Sequence, residues 1–145
     1  MNRFSVTRLE ERAKLYTCSC EVLDNVILRY TMLDFSRDVL GFTRLGEEVT
    51  FYVYGKEGDA RREGLHLLLS RVCTSDPRWY VVLDIHEDLP GIDHVGIIHR
   101  IAGCFLPRAI PILYVNTYGH NLVFVAEEHS ESAWEALQDM ALLSP

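Results

Sequence analysis

Two sets of residues in this 145-residue chain have types and spacings that could do chemistry. The first is the stretch Gly91 to Tyr118, GIDHVGIIHRIAGCFLPRAIPILYVNTY, which reads as a glycine-opened helix, then a buried strand ending in a polar turn. Free N–H groups at a helix start, together with the positive end of its dipole, suit a carboxylate, so this unit is a seat for a small anionic or zwitterionic ligand. Gly91 and Gly96 leave room for a ligand or a neighbouring backbone to come close. The same residues also fit an ordinary helix-to-strand packing unit. The second set is Asp84, His86, Asp88, Asp93, His94 and His99, histidines and carboxylates dense enough to ligate a metal or act as acid and base. Asp84 and His86 share one face of a predicted strand, but His94 and His99 stand five apart and miss the i, i+4 pairing of a helical metal site. No nucleophile motif accompanies them, neither G-x-S-x-G, nor a P-loop, nor a dinucleotide fingerprint. Cys18-Ser-Cys20 lacks the two-residue spacer and the second cysteine pair of a zinc or redox motif. The expectation is a protein that is not an enzyme, with no metal and no cofactor.

The composition narrows the partners. Fourteen basic residues stand against 21 acidic ones, net −7, which disfavours nucleic acid and anionic membrane. Arg61, Arg62 and Arg71 form the one local basic concentration and read as the solvated face of a helix. The start, MNRFSVTRLEERAK, lacks the apolar core of a secretory signal, and no run of eighteen apolar residues follows. A soluble, cytoplasmic protein is expected. Cys18, Cys20, Cys73 and Cys104 then read as reduced, mostly buried thiols.

The elements that must position these residues fall into two similar halves, divided at Thr74-Ser75-Asp76-Pro77. In residues 1–75, Arg8 to Cys18 reads as a strand, and Val22 to Leu33 carries helical spacing. Gly41 to Leu45 and Val49 to Tyr54 form a hairpin about Gly46-Glu47-Glu48, and Leu65, Leu68, Leu69 and Val72 mark a second helix. Residues 76–145 repeat that order. Trp79 to Ile85 is a strand; Val95, Ile98, Ile101, Ala102 and Phe105 are a helical stripe ended by Pro107. Ile110 to Val115 and Leu122 to Ala126 form a hairpin through Gly119, and Ser132 with Glu135 resembles a capping box before Trp134, Leu137 and Ala141. Each half is β-α-β-β-α, and VTFYVY at 49–54 occupies the place of NLVFVA at 121–126, as an internal duplication would have it. The expected fold class is α+β, two tandem ferredoxin-like units with antiparallel sheets and helices on one face. Unprotected strand edges predict a homodimer.

Gly96-Ile97, Ile101-Ala102, Phe105-Leu106, Ala109-Ile110 and Val115-Asn116-Thr117 together resemble the signature of the ACT domain, a small-molecule regulatory module. More narrowly, GIDHVGIIHRIAG with NTYGHN, preceded by RLEERAKLYTCS and GFTRLGEEVTFYVYGKEG, resembles the tandem-ACT cytosolic arginine sensors of animals called CASTOR and their short bacterial relatives. The resemblance implies an amino-acid sensor whose ligand lies between ACT units. It assigns Gly91, His94, Val95 and Gly96 to the helix-start loop, Thr117, Tyr118 and Asn121 to the turn after the strand, and Pro111 and Ile112 to the facing half. It also implies a regulatory protein complex as partner; a ligand-free adaptor built on the same domains is the alternative. The sensors carry a hydroxyl residue where Pro111 stands and an aspartate where Asn121 stands. Both changes remove polar capacity, so the implied ligand is a free amino acid or small carboxylate rather than arginine in particular.

Overall fold

The computed structural model describes residues 4–22, 35–55, 58–87 and 96–143. These fall into two compact units, one of residues 11–79 and the other of residues 1–10 with 80–145. Each is described by itself.

In the unit of residues 11–79 the strands are β2 (Arg12–Ser19), β3 (Val39–Leu45), β4 (Glu48–Gly55) and β5 (Thr74–Ser75). All pairings are antiparallel, in the order β5-β2-β4-β3. The β3–β4 hairpin closes through Gly46-Glu47, with Gly46 at φ 59°, where the glycine avoids the steric cost of a left-handed turn. Short helical turns stand at α1 (Cys20–Val22) and α2 (Phe35–Asp38); most of the helix expected from Val22 to Leu33 lies outside the described residues. Helix α3 (Ala60–Val72) forms where the leucine spacing predicts it, and Asp59 caps it by accepting from the Arg62 N–H. Leu65 and Leu69, one turn apart on α3, pack on Val49, Phe51 and Val53, which alternate along β4. Gly55 lies so close to the Trp79 ring that an added Cβ would stand 2.1 Å from it.

The other unit holds β1 (Phe4–Arg8), β6 (Tyr80–Glu87), β7 (Ile112–Asn116) and β8 (Asn121–Ala126), antiparallel in the order β1-β6-β8-β7. Its helices are α4 (Ile97–Phe105) and α5 (Ser130–Leu143). With β1 counted as its last strand, this order matches that of the first unit, and both are the ferredoxin-like arrangement expected. Strands β4 and β8, which hold the two repeated segments, take the same place in each.

Three details depart from the periodicities. The expected strand from Arg8 to Cys18 is two strands, β1 and β2, because the chain bends at Glu10-Glu11 and Phe4–Arg8 pairs with β6. On α4 the buried stripe is Ile97, Ile101 and Phe105 at strict four-residue spacing, which leaves Ile98 and Ala102 exposed. Helix α5 starts at Ser130 behind a 3-10 turn, Glu127–His129, so Ser132 lies inside it. Ser132 and Glu135 instead meet Arg108, which also reaches Asp139. The core joins Leu83 and Ile85 of β6, Val123 and Val125 of β8, the α4 stripe, and Ala133 and Leu137 of α5.

Candidate functional site

One end of the sheet formed by β1, β6, β8 and β7 gathers most of the candidate residues. Ile85 is paired with Asn121, and Asn116 with Asn121, so the close of β6 and the turn from Thr117 to His120 lie at the same end. The Thr117 N–H donates to the His120 carbonyl, 2.9 Å, which shuts that turn and leaves Thr117 and Tyr118 exposed. Pro111 and Ile112 stand at the opposite end, where Ile112 faces Val125 and Tyr80 faces Ala126. Helix α4 runs about 13 Å at 1.5 Å per residue and feeds through Ala109-Ile110 into β7, so its start is directed toward the end that carries the turn.

Gly96 begins α4 with φ 81° and ψ 9°, a left-handed conformation that glycine takes at little cost. Among the described residues no side chain caps this start, and no acidic residue stands in the first turn of the helix. Glycine brings no capping side chain of its own to the first N–H groups of the helix, which carry the positive end of the dipole. Gly91, His94 and Val95 lie outside the described residues. Asn121 is buried, and its amide is engaged within the unit: Oδ1 accepts from the Tyr114 hydroxyl at 2.7 Å and Nδ2 donates to the Ile85 carbonyl at 3.2 Å.

On the face of β6 away from the helices, the same end of the sheet carries a second group. The two strand residues share that face because they are two apart. His120 Nδ1 donates to Asp84 Oδ2 at 2.8 Å, and His86 Nε2 lies 3.3 Å from the same oxygen. Asp84 is buried, while the His86 and His120 side chains are 43% and 54% exposed. The two rings meet edge to face at 5.9 Å. Asp84 Oδ1 is buried with no hydrogen-bond partner among the described residues. Sequence spacing found Asp84 and His86 but not His120, which comes from another hairpin. An Asp-x-His pair on a strand and a histidine opening the next strand of the same sheet was the available signal. Of the other residues first grouped with them, Asp88, Asp93 and His94 lie outside the described residues, and His99 is exposed on α4.

The polar groups of residues 11–79 are arranged differently. His66 Nε2 donates to the Tyr54 carbonyl at 2.8 Å, which leaves Nδ1 to accept from the Tyr16 hydroxyl at 2.5 Å. Burial lowers the pKa of His66 from its ordinary value and raises that of Tyr16. Arg61 and Arg62 are not a solvated face. Arg61 makes a two-pronged bond to the fully buried Asp38 at 2.7 and 2.5 Å, and the buried Arg62 reaches Glu11 and the Arg37 carbonyl. A carboxylate removed from water requires such compensation, and helical spacing alone cannot reveal a partner on another element. All four cysteines are free; burial pushes the Cys73 thiol up to about 12, which holds it in the unreactive protonated form.

Residues 75–139 match the model of the ACT domain family. No curated protein matches the chain. Solved structures share its fold at low identity. A Vibrio cholerae protein of unknown function, described as a possible transport protein, superposes with a TM-score of 0.67 at 15% identity, covering 96% of this chain and 91% of that one. A protein from Agrobacterium tumefaciens gives 0.63 at 16%, with 96% and 90% covered. The ligand-free regulatory subunit of aspartate kinase from Thermus thermophilus gives 0.59 at 13%, with 92% and 95% covered. Among the described residues no helix is long and apolar enough to cross a membrane. The likeness to the ACT domain family thus covers residues 75–139, a little under half of the chain, and the solved structures share the fold alone.

Proposed function

We propose that this protein is a non-catalytic, cytoplasmic regulatory protein that senses a free amino acid or similar small carboxylate as a homodimer. The observation that carries the reading is the start of α4 at the left-handed Gly96, which no described side chain caps, directed toward the end of the sheet that holds Thr117 and Tyr118. The helix N–H groups take the ligand carboxylate, Thr117 accepts from its ammonium, and Tyr118 walls its side chain. Gly91, His94 and Val95 complete the helix-start loop in this reading. Pro111 and Ile112 belong to the other end of their own sheet, so they reach the ligand only from a second ACT unit, and the reading needs a dimer. The fold shared with a regulatory subunit of aspartate kinase supports the regulatory class. The finer likeness to tandem-ACT arginine sensors, and with it a regulatory complex as partner, belongs to the same proposal.

A second reading, a ligand-free adaptor, has one observation in its favour: the Asn121 amide is already spent on Tyr114 and Ile85. A thermal-shift screen of the common amino acids separates the two, because a ligand that binds only the folded state raises its stability by mass action. The sensing reading expects one amino acid to raise the melting temperature, and Thr117→Val to weaken its binding by about 0.5–1.5 kcal/mol, the net worth of one hydrogen bond. A dimer by light scattering that binds no amino acid in calorimetry selects the adaptor; a monomer sinks both.

A further inference from the structure

We propose that Asp84, His86 and His120 form a binding site for a divalent transition-metal ion of the zinc class. Their donor atoms, one carboxylate oxygen and two imidazole nitrogens, all lie within 4.8 Å of one another. Donors around a tetrahedral ion with bonds of about 2.0–2.1 Å stand about 3.3 Å apart; His86 Nε2 lies at that distance from Asp84 Oδ2, 3.3 Å, and His120 Nδ1 is closer, 2.8 Å. Two imidazoles and one carboxylate favour zinc, cobalt or nickel over magnesium or calcium, which prefer oxygen.

The second observation is Asp84 itself. Its side chain is 8% exposed, yet Oδ1 has no hydrogen-bond partner among the described residues and Oδ2 takes both histidines. A buried carboxylate oxygen without a donor is costly, and a metal ion relieves that cost. The ion replaces the proton that His120 Nδ1 now directs at Oδ2. Oδ1 then chelates it or accepts from a water completing its shell. The exposed edges of His86 and His120 leave a path for entry. The scaffold is rigid on two sides: Asp84 and His86 are fixed by β6, and His120 by the closed turn that leads into β8. The proposal does not rest on the amino-acid reading: the cluster lies on the sheet face away from α4, although His120 shares its turn with Thr117 and Tyr118.

The test is titration of the metal-stripped protein with cobalt(II), followed by its visible d–d bands, and with zinc by calorimetry. One ion per chain is expected, with tetrahedral cobalt bands at micromolar protein. His120→Ala weakens binding by at least about a hundredfold, since removing an outer partner of a metal ligand alone costs about tenfold to hundredfold. His120 is half exposed, so this variant keeps its fold, which far-ultraviolet circular dichroism checks. His86→Ala acts likewise, and His129→Ala, outside the cluster, changes nothing. Absence of cobalt bands, or one-to-one binding unaltered in both His120→Ala and His86→Ala, overturns the site.

Discussion

The unit of residues 11–79 and the unit built on residues 80–145 share a strand order but use their buried polar groups in opposite ways. In the first, Asp38 is surrounded by Arg61 and Arg62, and Tyr16, His66 and the Tyr54 carbonyl form a closed chain of hydrogen bonds. Arg62 Nε is buried there without a hydrogen bond, but it lies 3.7 Å from the Asp38 carboxylate, so its charge is still compensated within the unit. In the second, among the described residues, Asp84 meets two half-exposed imidazoles and keeps one oxygen without a hydrogen bond, and no side chain caps the start of α4. The same fold thus serves once as a self-contained scaffold and once as a surface with unspent polar capacity. Function is to be sought where the accounts among neighbours do not close.

The contrast is broken or sharpened by three substitutions. Asp38→Asn should cost most, about 3 kcal/mol in urea unfolding. That is the low end for removing one partner of a buried pair, because Arg61 still reaches solvent while Arg62 does not. A loss below about 1 kcal/mol would show that the arginines find water easily and that the first unit is no more closed than the second.

A smaller effect is expected from His66. Its folded pKa lies below the ordinary value of 6.5, chiefly through burial, so the unfolded chain binds more protons as the pH falls through that range. The contribution is therefore complete above about pH 6.5 and is lost as the pH drops toward the lowered folded value. His66→Gln should flatten that part of the stability profile relative to the wild type; parallel profiles would place the acid sensitivity elsewhere.

Asp84→Asn should cost least. Exposed partners are screened by solvent, so the change in metal-free protein is within about 1 kcal/mol. A loss matching that of Asp38→Asn would erase the difference between the units.

Much of the fold is legible in the residues because local rules and tertiary packing agree. The β3–β4 hairpin follows from Gly46, α3 from its leucine spacing, and β8 from an apolar run whose residues are all buried. What was not legible depends on partners remote in sequence. Arg62 looks like any surface arginine until Asp38 and Glu11 are brought to it. His120 is marked in the sequence only by its place just before a strand, and the pairing of Ile85 with Asn121 is what brings it beside Asp84. Asn121 was read as a ligand contact, whereas its local surroundings also supply it with two internal bonds that no periodicity reveals.

The pairing of β1 with β6 also bears on how the chain is made. Phe4 lies opposite Glu87, and Val6 packs on the core that α4 and α5 complete. During synthesis the residues of β1 leave the ribosome ahead of residues 11–79, whose strands pair with one another, and the partner strand β6 follows only after them. Closing so long a loop before any contact repays it is slow. The sheet of β6, β8 and β7 therefore stays one strand short until residues from either side of 11–79 meet.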